Sequence, residues 1–295
     1  MTEHSYSWYK INPFSSSVAE KYDEQKDIDL QMLCHNISDV LFVVFKLPKT
    51  GLTLCLRVPT SYRSMVESIT SFGFEYCEFP IVTNIDAFVK LKLAKNFVYP
   101  LVSDETAITS NIFSVLSDSP YGVFGIKLRH APSKPVTKRY EVLQNKKKKR
   151  NNDGNGSSNT IHIDPYEKMA KQKSECTSFF YSEMFFGIKN IFDITKFMKV
   201  IPYTAQHVEP NHLIRGKIVT STKKNFDAAT DYLKKTVMVQ CNNKNMILSD
   251  YDILPFVRFP ENSQILGLDS AKSPTMASDS FAEREFKDIG GFSVK

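Results

Sequence analysis

The stretch 52–80, LTLCLRVPTSYRSMVESITSFGFEYCEFP, decides how the first half of the chain is read. Leu52–Val58 alternates, with Leu54 and Leu56 on one side, which is the period of a strand. Pro59-Thr60-Ser61 supplies a helix start. Tyr62, Met65, Val66, Ile69 and Phe72 then recur at helical spacing, and Gly73 can take the left-handed conformation that ends a helix cheaply. Phe74–Val82 alternates again around Phe74 and Tyr76, with Ile81 beyond Pro80. One short passage therefore predicts strand, helix, strand.

Working downstream, Ala87–Leu93 reads as a strand with Val89, Leu91 and Leu93 on one face. A helix follows from about Glu105 to Leu116, striped by Ile108, Ile112, Val115 and Leu116, with Asp104 as its cap. Tyr121–Arg129 is a strand, with Phe124, Ile126 and Leu128 facing one way. Taken from Leu52, the order is strand, helix, strand, strand, helix, strand. That is the split βαβ pattern of a ferredoxin-like fold, an antiparallel sheet with both helices on one face. Upstream, the unbroken apolar run Asp39–Leu47 suits a strand buried on both faces. It is expected to pair with Leu52–Val58 through the Pro48–Gly51 turn, as an extra N-terminal strand. The predicted class is α+β.

Composition places the boundaries. Residues 1–35 read as a flexible lead-in and 36–130 as the ferredoxin-like lobe. Residues 131–175 read as a basic, Asn/Gly/Ser-rich mobile linker, because such a segment buries too little apolar area to offset its ordering entropy. A second, smaller α+β lobe is expected over 176–260. It has aromatic Thr177–Ile188, a strand at Leu213–Thr220 and a helix at Asn225–Val237. Residues 261–295 read as a flexible tail.

The chemistry-bearing patterns are sparse. Neither GxxxxGK[ST] nor GxGxxG occurs, so no nucleotide cofactor is expected. Cys34, Cys55, Cys77, Cys176 and Cys241 are scattered without a CxxC pair, which reads as free thiols in a reducing, cytoplasmic setting. His207 and His212, and His162 near Asp164, lack the cysteine that a zinc site needs. No metal and no catalytic residue is predicted. No apolar stretch reaches the ~20 residues of a membrane span. The net charge is +6, a mild excess. Its concentrated part, Lys146, Lys147, Lys148, Lys149 and Arg150, is a candidate contact for nucleic acid or an anionic surface. The simpler reading is a solvated insertion, because no aromatic residue interleaves with the lysines.

Three segments together resemble the region that precedes the motor in conjugative DNA-transfer ATPases of the TraG/HerA kind. In Leu52–Pro80 the matching features are Val58-Pro59, Val66-Glu67 and Tyr76. In Val89–Asp104, VKLKLAKNFVYPLVSD, they are Tyr99-Pro100-Leu101. In Leu248–Pro260, LSDYDILPFVRFP, Leu248, Ser249, Phe259 and Pro260 match outright, and Asp252, Ile253, Phe256 and Arg258 are conservative replacements. The third segment also reads locally as a capped short helix, with Ser249 as cap and Asp252 as the capping-box acid. Pro255 departs from the pattern and should shorten or kink that helix. The motor follows this segment in the family. Here 35 residues remain after Pro260 and they hold no nucleotide loop.

The resemblance implies a docking and assembly module without its own motor, and not an enzyme. Its implied partners are a separate P-loop DNA-translocating ATPase and membrane channel subunits of a type IV secretion-like machine. DNA and a second copy of the chain are further candidates. It implies a cytoplasmic protein held peripherally at the inner face of the membrane through those partners. Leu248, Ser249, Asp252, Ile253, Phe256, Arg258, Phe259 and Pro260 are its candidate docking residues. Two other readings stand beside it: a single-stranded nucleic-acid-binding module using the sheet and the basic segment, and an enzyme with a spatially assembled site. Exposed sheet aromatics around Tyr121 and Phe124 would favour the former.

Overall fold

A computed structural model describes residues 5–12, 19–46, 51–69, 73–78, 85–101, 107–153, 165–190, 194–198 and 211–257. Alternating and apolar runs make its strands: β1 (Tyr6–Asn12), β2 (Asp39–Lys46), β3 (Leu52–Pro59), β4 (Gly73–Cys77), β5 (Ala87–Leu93), β6 (Gly122–Ala131), β7 (Phe179–Ile188), β8 (Leu213–Thr220) and β9 (Ile247–Ser249). Between them lie α1 (Ala19–Asn36), α2 (Arg63–Glu67), α3 (Ala107–Asp118), α4 (Lys134–Asp153) and α5 (Pro165–Ser174). A short helical stretch α6 (194–198) follows, then α7 (Ala228–Met238) and α8 (Asp250–Val257).

All nine strands join one open sheet in the order β4-β1-β3-β2-β6-β7-β5-β8, with β9 pairing β7. Every pairing is antiparallel. The mixed α+β class agrees with the sequence, and so does the pairing of β2 with β3. The strand order does not follow the ferredoxin-like pattern. A split βαβ unit would set β5 between β3 and β4, antiparallel to both. Instead β3 lies between β1 and β2, and β5 lies between β7 and β8. The reason is competition for strand edges. β1 takes the edge of β3 that the expected unit would have used. β2, buried on both faces, needs a neighbour on each side and takes β6 on the other.

Four further expectations change. The lead-in 1–35 contains β1, an inner strand, and α1. The stretch 131–175 contains the end of β6 and helices α4 and α5 where a mobile linker was expected. The two expected lobes share the sheet, because β6 and β7 pair from Gly122↔Ile188 to Ala131↔Phe179. Gly125 leaves room for the Phe185 ring across that pairing, since a β-carbon there would come within 2.3 Å of the ring's tip. The helix expected over 61–72 is shorter: a 3₁₀ turn at Thr60–Tyr62 runs into α2. The Asp104 cap, Ile81, His162, His207, residues 47–50 of the expected turn and the tail 261–295 lie outside the described residues.

Each face of the sheet buries a core. On one side Tyr9, Leu56, Phe42, Ile126, Phe186 and Val89 pack against Leu33 of α1, Val66 of α2, Phe113 of α3 and Phe256 of α8. On the other, Leu41, Val43, Cys55, Phe88, Val123 and Phe185 pack against Ala229, Leu233 and Val237 of α7. A third, smaller cluster of Val98, Val136, Ala170, Phe179 and Ile247 seats α4 and α5 beside the start of β7.

Candidate functional site: the Asp252 clamp and the basic hairpin

The segment singled out for docking begins as β9 and continues directly into α8. Its acid, Asp252, is 1% exposed and has every oxygen engaged. One carboxylate oxygen accepts the Leu101 amide at 2.7 Å. The other accepts the Ser249 amide at 2.7 Å and the Ser249 hydroxyl at 2.8 Å. It also meets the Lys173 ammonium of α5 at 2.6 Å, with both side chains 1% exposed. Lys173 donates in addition to the Ile247 carbonyl at 3.2 Å. A buried charge persists only when paired and hydrogen-bonded, and this pair meets both conditions.

Asp252 is therefore a clamp between three places. It ties the Tyr99-Pro100-Leu101 turn to the start of α8, and both to α5. Asn211 holds the same turn from the far side, donating to the Asn96 carbonyl at 3.0 Å and the Tyr99 carbonyl at 3.3 Å. The capping-box acid behaves as expected, but Ser249 donates to Asp252 rather than capping the helix itself. Pro255 stays inside α8, costing the amide that would have bonded the Tyr251 carbonyl.

The basic run sits in the last turns of α4, a 20-residue helix. Its residue types explain why it is helical. Lys, Arg, Gln and Glu lose little side-chain freedom in a helix, and cations near the C-terminal end complement the helix dipole. Val136, Tyr140 and Leu143 form the inward stripe. Gln144 Nε2 donates to Glu167 Oε1 of α5 at 2.6 Å and to the Tyr140 hydroxyl at 3.1 Å, which closes the hairpin. Beyond Gln144, Asn145 and Lys146 are exposed. The side chains of Lys147, Lys148, Lys149 and Arg150 lie outside the described residues, although their backbone is helical.

A second set of cations is internal. Arg57 of β3 pairs with Asp39 of β2 at 2.5 Å, with neither side chain exposed, and donates to the Val237 carbonyl. Tyr6 stacks on the Arg57 guanidinium at 3.9 Å and donates to Asp39 at 3.0 Å. Lys127 of β6 donates to the Thr236 carbonyl at 2.6 Å and the Val239 carbonyl at 3.0 Å. Glu183 of β7 bridges Lys127 at 3.2 Å and Lys90 of β5 at 3.0 Å. These side chains project from one sheet face into the C-terminal end of α7 and satisfy carbonyls that a helix end leaves open. Burial lowers the Lys127 pKa against the opposing pull of Glu183. Burial also pushes the Tyr6 phenol up to about 12.

The structure thus redistributes the predicted site. Leu248, Ser249, Asp252, Ile253 and Phe256 are buried, so they build the core rather than a contact surface. Arg258, Phe259 and Pro260 lie outside the described residues. Tyr251, which the pattern passed over, is 74% exposed. Tyr121 and Phe124 are buried, so those positions offer no stacking surface on the sheet. All five cysteines are free thiols. Among the described residues no group of three His, Cys, Asp or Glu could hold a metal, and no helix is long and apolar enough to cross a membrane. Lys173 and Tyr166 gave no signal in the sequence, because their partners Asp252 and Lys95 are distant in the chain. No family model matches the chain, and no curated protein matches it.

Proposed function

We propose that this chain is a non-catalytic docking and assembly module. It works beside a separate P-loop DNA-translocating ATPase and the membrane channel subunits of a conjugative, type IV secretion-like apparatus. Those protein partners would hold it at the inner face of the membrane. The observation that carries this reading is the Asp252 clamp. It welds two of the three segments that carry the resemblance, Val89–Asp104 and Leu248–Pro260, into one rigid corner. On the outside of that corner stands Tyr251, an exposed aromatic on a preorganised helix, which is the kind of anchor that dominates interface energy.

The test is co-purification of the tagged full chain from its native cells at moderate salt. Recovery of a DNA-translocating P-loop ATPase with channel subunits is expected. Its loss in Tyr251→Asp, with an unchanged unfolding midpoint, is expected as well. Failure to recover any such ATPase, or recovery equal with Tyr251→Asp, would overturn the reading or its assigned contact, respectively.

A further inference from the structure

We propose that the α4–α5 hairpin binds single-stranded nucleic acid, with Tyr166 as a base-stacking platform and positions 146–150 as phosphate contacts. This goes beyond the docking reading and does not rest on it.

Charge placement is the first support. Helix α4 holds eight basic residues against two acidic ones, a net +6 that equals the net charge of the whole chain. Five consecutive basic positions at 100° steps run round the full helix, so no side of that segment lacks one. The stretch 144–153, QNKKKKRNND, contains no apolar residue. A helix that lies on a membrane needs an apolar face to bury, so lipid is the poorer fit. Phosphates of a nucleic acid need only the cations.

The second support is an aromatic that the fold sets beside the contact between α5 and α4. Tyr166 opens α5 and is 42% exposed. The Lys95 ammonium lies 4.8 Å from the centre of its ring. Gln144 binds Glu167, the next residue, so Tyr166 belongs to the turn of α5 that meets α4 two residues before the basic run begins. Exposed Lys168 and Lys171 continue the same helix. An exposed ring flanked by cations is how sequence-tolerant single-strand binders seat an unpaired base. Duplex DNA keeps its bases stacked and cannot use Tyr166 in this way.

Fluorescence anisotropy of the full chain with a labelled oligothymidine of about 20 nucleotides, and with a matched duplex, tests the proposal across a salt series. Four to five neutralised phosphates predict a slope of log affinity on log salt of about −3 for the single strand. Replacing all five residues of the run (K146Q, K147Q, K148Q, K149Q, R150Q) should bring the slope near zero. Tyr166→Ala should weaken single-strand binding roughly 5- to 150-fold without changing the slope, and Tyr166→Phe should restore it. Three results would each overturn the proposal: no binding even at about 50 mM salt, a slope kept by the five-fold variant, or equal affinity for duplex and single strand with no effect of Tyr166→Ala.

Discussion

Lys127 and Lys146 are the same residue type in opposite surroundings. Lys127 is 2% exposed and spends its charge on Glu183 and on the carbonyls that end α7. Lys146 is exposed near the end of α4, at the start of a run whose positions circle the helix. Arg57 and Lys173 belong with Lys127, each fixed to a buried carboxylate. The difference separates two uses of charge. An internal cation must be matched atom by atom, because leaving its partner alone in the core costs several kcal/mol. An exposed one carries no such requirement, because water already solvates it. In this fold the internal set positions α5, α7 and α8, and exposed Lys146 is carried on the hairpin they fix.

The comparison breaks most visibly at the clamp. Asp252→Ala strands the Lys173 ammonium and the Leu101 and Ser249 amides together, and should cost about 3–5 kcal/mol in denaturant unfolding. A cost below about 1 kcal/mol would mean that water replaces the carboxylate freely. Lys127→Met keeps the bulk but removes the donor to two carbonyls, and should cost about 1–3 kcal/mol. Its partner Glu183 retains Lys90, which limits the loss.

Alkaline titration separates burial from exposure in another way. Burial pushes the Cys34 thiol up to about 12 and Cys241 up to about 11, from an ordinary value of 9.0. Tyr6 rises to about 12 from 10.0. Because the folded-state values are raised, their contribution is complete below pH 9 and is lost as pH climbs toward 11–12. Lys127, lowered by burial, works in the opposite sense over the range below its ordinary 10.5. With the thiols of Cys34, Cys55, Cys176 and Cys241 and the phenols of Tyr6 and Tyr9 raised, against Cys77, Lys127 and Arg57 lowered, the unfolding midpoint should fall steadily above pH 9. A flat profile to pH 11 would show that these thiols are not buried in solution. The smallest change is expected on the hairpin surface, where Lys138→Gln should stay within about 0.5 kcal/mol.

Much of the fold was legible as local pattern. The unbroken apolar run became β2, the alternation of 87–93 became β5, and the stripe of Ile112 and Leu116 became α3. Topology was not legible, because it turns on which strand takes which edge. β1 offers only YSWYKIN, with large side chains on both sides and no turn signal to announce it. Yet it pairs with both β3 and β4 and so displaces the ferredoxin-like order. The helix α4 was hidden by composition. Charge and Asn content suggested a solvated loop, while the helix-forming Lys, Arg and Gln and the basic C-terminal end pointed to the helix that forms. At the candidate site, the capping role of Asp252 was visible three residues from Ser249. Its ion pair with Lys173 and the approach of Lys95 to Tyr166 come only from the folded chain.

The most direct test of the division between internal and external cations is the equilibrium stability of the five-fold Lys146–Arg150→Gln variant. Chemical unfolding should place it within about 0.5 kcal/mol of the parent, or slightly above once like charges at helical spacing no longer repel. A loss of about 2 kcal/mol or more would show that the run is bound into the fold, like Lys127 and Lys173, and is not free to meet an outside anion.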